Sequence, residues 1–380
     1  MNHKITYLGL CLFAVLLWGC DKEQVEIEEP TPPQEVSRPV GLLVDGDLTK
    51  GVVITKKDSI RSLGLIAYST DTPFDEKATT SNPNLFDNVS AMRTFDEKTL
   101  SSWSYTPAVY WPSNPDIKNT FFAYSPYQDQ DEEEEEEDED VFPEGSIRVV
   151  TDQGSPKLIY RVPQSMSEQI DLLYSEYNAD VKNINYNEAN NGNVKFNMKH
   201  ALLWLRFIIA PVKESGHENE IYTIDEFNMT AGRIINTGQF DMATATWSKI
   251  DELPNDGYES VNYDFDNLMD EPLVVQADSL QPMGGVNYDH CLMIIPQAIV
   301  LSENLTAVTV AFTYYSGVGE ETNIEHYITM PFPDVKLNKP GYVMTYIVKL
   351  STTGARIEFQ DSNPIDEWIE NTKDREVEAF

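Results

Sequence analysis

The chain has 380 residues, with 63 Asp and Glu against 27 Lys and Arg, and a formal net charge of −36 at pH 7. That balance repels phosphate backbones and anionic headgroups, so nucleic acid is excluded as a partner. With 41% hydrophobic residues the chain has material for two domains of ordinary size.

At the start, Lys4 precedes a largely apolar run of 14 residues, Ile5 to Trp18. This length fits the h-region of an export signal and is too short to span a bilayer. Leu17-Trp18-Gly19-Cys20 resembles a bacterial lipobox, with Trp18 an unusual occupant of its third position. Residues 1–19 are therefore expected to be a lipoprotein signal peptide. Cys20 is the expected lipid attachment site, holding the protein at the outer membrane. Each buried CH2 of an acyl chain adds about 0.8 kcal/mol, so several chains make the hold effectively permanent. An ordinary signal followed by a chance cysteine is the plainer alternative. Residues 20–38 are polar and contain Pro30, Pro32 and Pro33, as in a flexible tether. Asp21-Lys22-Glu23 resembles the lysine-plus-acid signal that sends some Gram-negative lipoproteins to the cell surface. With Cys11 removed and Cys20 acylated, no intramolecular disulfide is expected, and hydrophobic cores must hold the body together. Nothing after Cys20 is apolar for long enough to form a transmembrane helix.

The body reads as β-strands. Val40 to Val44 is the expected first strand. Leu63 to Tyr68 is apolar on both parities, as in a strand buried on both faces, and Thr120 to Tyr127 reads as a strand stopped at Pro126. From Val194 to Trp204 the even positions are mostly apolar, predicting one half-buried antiparallel strand. Gly238 to Trp247 suits a hairpin, and Leu305–Tyr315 and Tyr342–Leu350 alternate as strands do. No window predicts a persuasive amphipathic helix. Many short strands separated by turn signals indicate an all-β protein built of sandwiches. Two domains are expected, 39–193 and 194–380, divided in the Asn- and Gly-rich loop Asn178 to Asn193 or as late as Gly216.

Few residues carry the pattern of an active site. Of the 12 residues from Asp129 to Asp140, 11 are acidic. A solvated, extended loop is the simple reading, with loose calcium binding as the sharper alternative. The acid-rich stretch Asp251 to Glu271 also reads as a loop, and Asp264 with Asp266 does not make a metal site alone. His200, His217, His290 and His326 are too dispersed for a cluster. His200 shares its strand's apolar parity and is expected to be a hydrogen-bonded core residue, and Cys291 a small buried hydrophobe. No Gly-x-Ser-x-Gly, His-Glu-x-x-His or phosphate loop occurs, so no enzyme, catalytic residue, metal or cofactor is expected. Asp58-Ser59-Ile60 and Asp278-Ser279-Leu280 resemble a short bacterial O-glycosylation motif.

Trp103-Ser-Tyr-Thr-Pro-Ala-Val-Tyr110-Trp111-Pro112, followed by Phe121 to Pro126, resembles the N-terminal signature of the fimbrillin family. Asp171 to Tyr174, Lys199 to Leu202, Ile294 to Gln297, Tyr342 to Tyr346 and Ile365 to Trp368 follow in that family's order. The resemblance implies two tandem transthyretin-like β-sandwich domains behind a lipoprotein signal and tether, and a structural or adhesive role in a type V pilus. It further implies other fimbrillin subunits as partners by donor-strand insertion, and a host or bacterial surface ligand. In polymerising members an arginine-specific protease removes the lipidated segment with the first strand, and a neighbour's C-terminal strand refills the groove. Four inward apolar side chains would make that loss about 6 to 12 kcal/mol. Here the loop Asp45 to Lys57 holds Lys50, Lys56 and Lys57 but no arginine; Arg38 precedes Pro39, and Arg61 borders the next strand. Glu370 to Ala379 is mostly charged and lacks a long alternating pattern to donate. The expectation is a lipid-retaining anchor or accessory subunit. The alternative is a glycan-binding surface lipoprotein that uses Trp103, Tyr105, Tyr110 and Trp111 as stacking platforms.

Overall fold

The computed structural model describes residues 38–45, 60–75, 82–96, 99–130, 142–151, 154–251, 253–265, 272–276, 279–283, 291–297, 308–318, 324–331 and 339–364. Among them are 21 strands and no α-helix, as the all-β reading expects. The first nine are β1 (Gly41–Asp45), β2 (Ser62–Thr70), β3 (Phe86–Asp96), β4 (Thr99–Tyr105), β5 (Lys118–Ser125), β6 (Ile147–Val150), β7 (Lys157–Arg161), β8 (Leu173–Ser175) and β9 (Asn193–His200). Then come β10 (Leu203–Pro211), β11 (Ile221–Ile235), β12 (Thr237–Asp241), β13 (Thr246–Ser248), β14 (Tyr258–Asp264), β15 (Leu273–Gln276) and β16 (Gln281–Pro282). The last five are β17 (Leu292–Ile294), β18 (Val308–Gly317), β19 (Ile324–Pro331), β20 (Tyr342–Ser351) and β21 (Gly354–Pro364).

Among the described residues, four sheets enclose three cores. A seven-stranded sheet runs β1-β9-β8-β5-β2-β3-β4, and a four-stranded sheet runs β13-β12-β7-β6. The C-terminal sandwich pairs β16-β10-β20-β21, with β17 also beside β10, against β14-β11-β18-β19, with β15 also beside β11. β2 shows why its apolar run has no polar parity. Leu63, Leu65 and Ala67 enter a first core on one face of the large sheet. Ile66 and Tyr68 enter a second core on the other face, with Tyr160 of β7, Phe240 of β12 and Trp204 of β10. β5 splits in the same way, Phe121 inward to the first core and Phe122 to the second. The third core fills the C-terminal sandwich, where Phe312 and Tyr314 of β18 meet Tyr346 and Val348 of β20.

The continuous strand expected over 194–204 is two strands. Val194, Phe196 and Met198 of β9 bury alternately in the first core, with β9 antiparallel to β8 and parallel to β1. The chain leaves the ladder at Ala201 and Leu202, and Leu203 opens β10, parallel to β20. A period-2 pattern survives such a break because two intervening residues preserve parity. Similarly, the acid-rich stretch read as a loop contains β14, whose Val261 and Tyr263 are buried while Asn262 faces out. The hairpin near Gly238 is β12–β13, with Phe240 opposite Trp247.

Candidate functional site: the groove that holds the first strand

β1 is an edge strand, laid parallel on β9 in a register that sets Gly41 opposite Asn193 and Val44 opposite Phe196. Val40 is only 2% exposed, Leu42 and Val44 are half-buried against the first core, and Leu43 at 38% faces outward. So three side chains point inward, not four, and one of them is fully buried. At about 1.5 to 3 kcal/mol for full burial, and half that for the other two, vacating the groove forfeits roughly 3 to 6 kcal/mol. This is smaller than the sequence-based figure but still comparable to the lower end of a domain's stability.

The entry to β1 is clasped from two sides. On one side the Gly41 amide donates to the Gly192 carbonyl at 3.0 Å. On the other, the segment after β4 pairs antiparallel: Pro39 bridges Tyr110, the Val40 amide donates to Val109 O at 2.9 Å, and the Trp111 amide donates to Arg38 O at 2.9 Å. The two ends of the sheet thus meet across residues 38–40. Two aromatics fasten the seam. Tyr105 donates its hydroxyl to Val40 O at 2.7 Å, and Trp111 donates its indole N–H to Gly192 O at 2.9 Å. Burial pushes the Tyr105 hydroxyl above its ordinary pKa, partly offset by the bond it makes to Val109 O. Trp111 packs edge-on against Phe121 at 5.5 Å and Tyr186 at 6.3 Å between ring centres. The Arg38 guanidinium lies 4.3 Å from the Tyr186 ring centre, a cation–π contact.

Sequence reasoning did not single out Asn193, Gly192 or Tyr186. Their signal was the Asn190-Asn191-Gly192-Asn193 string, a tight turn with Asn191 at φ 52° and Gly192 at φ 79°. Positive φ at both central positions favours Asn and Gly, and that geometry presents the Gly192 carbonyl to β1 and Trp111. A Cβ on Gly192 would press into the Tyr186 ring.

The short stretches that carried the resemblance meet in space. Trp103 to Trp111 forms the end of β4 and the clasp. Trp103 and Tyr105 are half-buried against the first core, Trp111 is 6% exposed, and Tyr110 is exposed. Asp171 to Tyr174 pairs with Lys199 to Leu202: Leu173 is opposite His200, and Ala201 N donates to Leu172 O at 2.8 Å. His200 is buried, with Nδ1 3.0 Å from an Asp171 carboxylate oxygen, which is the hydrogen-bonded core histidine expected. Gln297 satisfies both the N–H and the C=O of Ile235 at 2.8 Å. Cys291 is buried in the second core.

The other sequence-named residues scatter. His217 lies near Glu220, while His326 stacks on Tyr314 and sits 3.0 Å from Ser316 Oγ. Arg61 is exposed just before β2, its carbonyl accepting from the Arg93 amide at 2.9 Å. Ser279 donates its hydroxyl to Gln276 O at 2.7 Å. Cys20 with the signal and nearly all of the tether, the loop with Lys50, Lys56 and Lys57, Ser59, residues 131–140 of the acidic run, Asp266, His290 and residues 365–380 lie outside the described residues. At the base of the acidic run, Gln130 accepts from Val149 N at 3.0 Å and donates to Ile147 O at 3.0 Å. With Gln128 accepting from Ile147 N, these amides cover the outer edge of β6.

A fimbrillin-like family profile matches residues 53–368. The fimbrium subunit Fim1C of Phocaeicola vulgatus is 24% identical over 276 residues, covering 70% of this chain and 68% of its own. The crystal structure of a fimbrial protein from Bacteroides vulgatus superposes with a TM-score of 0.65 at 20% identity, over 86% of this chain and 99% of that one.

Proposed function

Since the chain belongs to the fimbrillin-like family, we infer that it is a cell-surface lipoprotein of a type V-like pilus, acting as a lipid-retaining anchor or accessory subunit. In this reading Cys20 carries the acyl chains that hold it to the outer membrane. Neighbouring subunits join it by strand insertion elsewhere, and its own first strand stays in place. The observation that carries this is the double clasp on residues 38–41, pinned between Gly192 and the Val109–Trp111 segment. A protease cutting at Arg38 would have to extract a backbone held by the Trp111 amide, under a side chain stacked on Tyr186 and before a proline. Burial of Trp111 and part-burial of Trp103 speak against a row of sugar-stacking aromatics on this sheet.

The test is mass spectrometry of the N-terminus of protein isolated from its own cells. An acylated Cys20 is expected. An unmodified terminus after Lys50, Lys57 or Arg61 would overturn lipid retention and mark a processed, polymerising subunit.

A further inference from the structure

Tyr327 at 72%, Val318 at 65%, and Val274 and Ile324 at 57% are the most exposed large apolar residues among those described. All four lie at one end of the sheet β14-β11-β18-β19, around the end where β18 hands over to β19. Phe312 and Tyr314 face the third core, so Thr313 and Tyr315, of the opposite parity, face away from it, with Thr313 covered by its neighbours and Tyr315 half-buried. The registers then build two rows on the outer face. One runs Val274, Thr223, Tyr315, Glu325, and the next runs Glu226, Thr313, Tyr327. Tyr315 and Tyr327 are diagonal neighbours, about 7 to 8 Å apart by sheet geometry, within reach of one long side chain. The bulge between Ile224 and Glu226 leaves Asp225 and Glu226 both exposed. Three carboxylates thus ring two tyrosines, and none of these residues is Lys or Arg. Glu325 foremost, then slight desolvation, then Asp225 and Glu226, raise the Tyr315 hydroxyl above its ordinary pKa, which reports a negative potential at the ring.

The geometry points to a docking surface for a basic protein segment, with Lys or Arg heads over Tyr315 and Tyr327 among Asp225, Glu226 and Glu325, and an aliphatic stem across Val274. Ile324, in register with Ser316 and Tyr222, lies on the other side of the sheet. Charge complementarity selects this occupant. Cation–π contact and carboxylate pairing reinforce each other at one head group. Exposed apolar side chains suit the stems of Lys and Arg. A second copy of this chain, with its net charge of −36, is repelled. A neutral glycan would stack on the rings but leave the carboxylates without counter-charge. The surface lies on the C-terminal sandwich and does not depend on the fate of the first strand.

The experiment titrates the full-length chain in detergent with a fluorescent peptide of alternating Arg and Thr, against a Glu-for-Arg peptide and a neutral hexasaccharide. The Arg peptide should bind, more weakly with added salt, and the Glu peptide should not. Tyr327→Ala should weaken binding about two- to fivefold, the effect of one exposed cation–π contact. Tyr327→Phe should retain it, and Glu226→Gln with Glu325→Gln should weaken it further. Tyr327 is too exposed for its loss to unfold the sheet. No binding of the Arg peptide, or binding indifferent to these changes, overturns the proposal. Hexasaccharide binding that needs Tyr327, without Arg-peptide binding, overturns it in favour of a glycan.

Discussion

Gly41 is where the groove's selectivity is most exposed to measurement. Its φ is not in the left-handed region, so its backbone accepts alanine, but a Cβ there would overlap the Asn193 carboxamide. That carboxamide is held by its own bonds, donating to Asn190 O at 2.8 Å and Asn191 O at 3.4 Å. Gly41→Ala forces it to rotate away and lose them. A neutral hydrogen bond contributes about 0.5 to 1.5 kcal/mol net, and the second bond here is long, so the loss is about 1 to 2 kcal/mol. Against this, Gly→Ala at a compatible position stabilises by about 0.4 to 1 kcal/mol through the unfolded chain. The net expectation is destabilisation of β1 by roughly 0.5 to 1 kcal/mol. In an Asn193→Ala background the obstruction is gone, so the same change should stabilise by about 0.4 to 1 kcal/mol. The assay is hydrogen exchange by mass spectrometry on a peptide spanning 38–45, because the Val40 and Gly41 amides are bonded to Val109 O and Gly192 O and report local opening. Gly41→Ala slowing exchange in both backgrounds, or a coupling below about 0.3 kcal/mol, would refute the role assigned to Asn193.

Val40→Ala should speed exchange over the same peptide by the equivalent of about 1.5 to 3 kcal/mol, because Val40 is buried. Leu43→Ala on the outer face should stay within about 0.5 kcal/mol, and equal effects would mean that β1 is not seated as described. Asp171→Ala removes the carboxylate beside buried His200 Nδ1 and should cost about 1 to 3 kcal/mol in thermal unfolding, whereas a neutral outcome would count against a structural role for the pair. Burial lowers the pKa of His326. The unfolded chain therefore takes up a proton first as pH falls, and stability is lost from about pH 6.5 down to the lowered value. His326→Gln should flatten the fall in melting temperature across that window, and an unchanged slope would remove His326 as its cause.

Much of the strand content could be read along the chain because inward and outward residues alternate locally. The both-parity run of β2 and the alternation of β18 and β20 each describe a strand's own burial, whatever its neighbours. The clasp residues Trp111 and Tyr105 were also visible, though as a family signature and a list of aromatics, without their task of holding residues 38–40. Their partner Gly192 lies 81 positions from Trp111, and no local pattern links the two. Asn193 was readable only as part of a turn, because its contact with Gly41 exists only once β1 lies in parallel register on β9.

The amino-acid order alone determined the all-β class, the acidic character of the chain, a first strand close to where it forms (expected at 40–44, found at Gly41–Asp45) and the core placement of His200. These follow from composition and from a period that each strand carries within itself. The tertiary structure decided that β1 pairs parallel with β9, that the expected strand 194–204 divides between two sheets, that β12 completes a sheet begun by β7, and that Tyr315 and Tyr327 share one acidic face. Strand pairing joins residues tens of positions apart through backbone bonds that every residue can make. The choice among partners is therefore settled by which assembly buries all three cores at once.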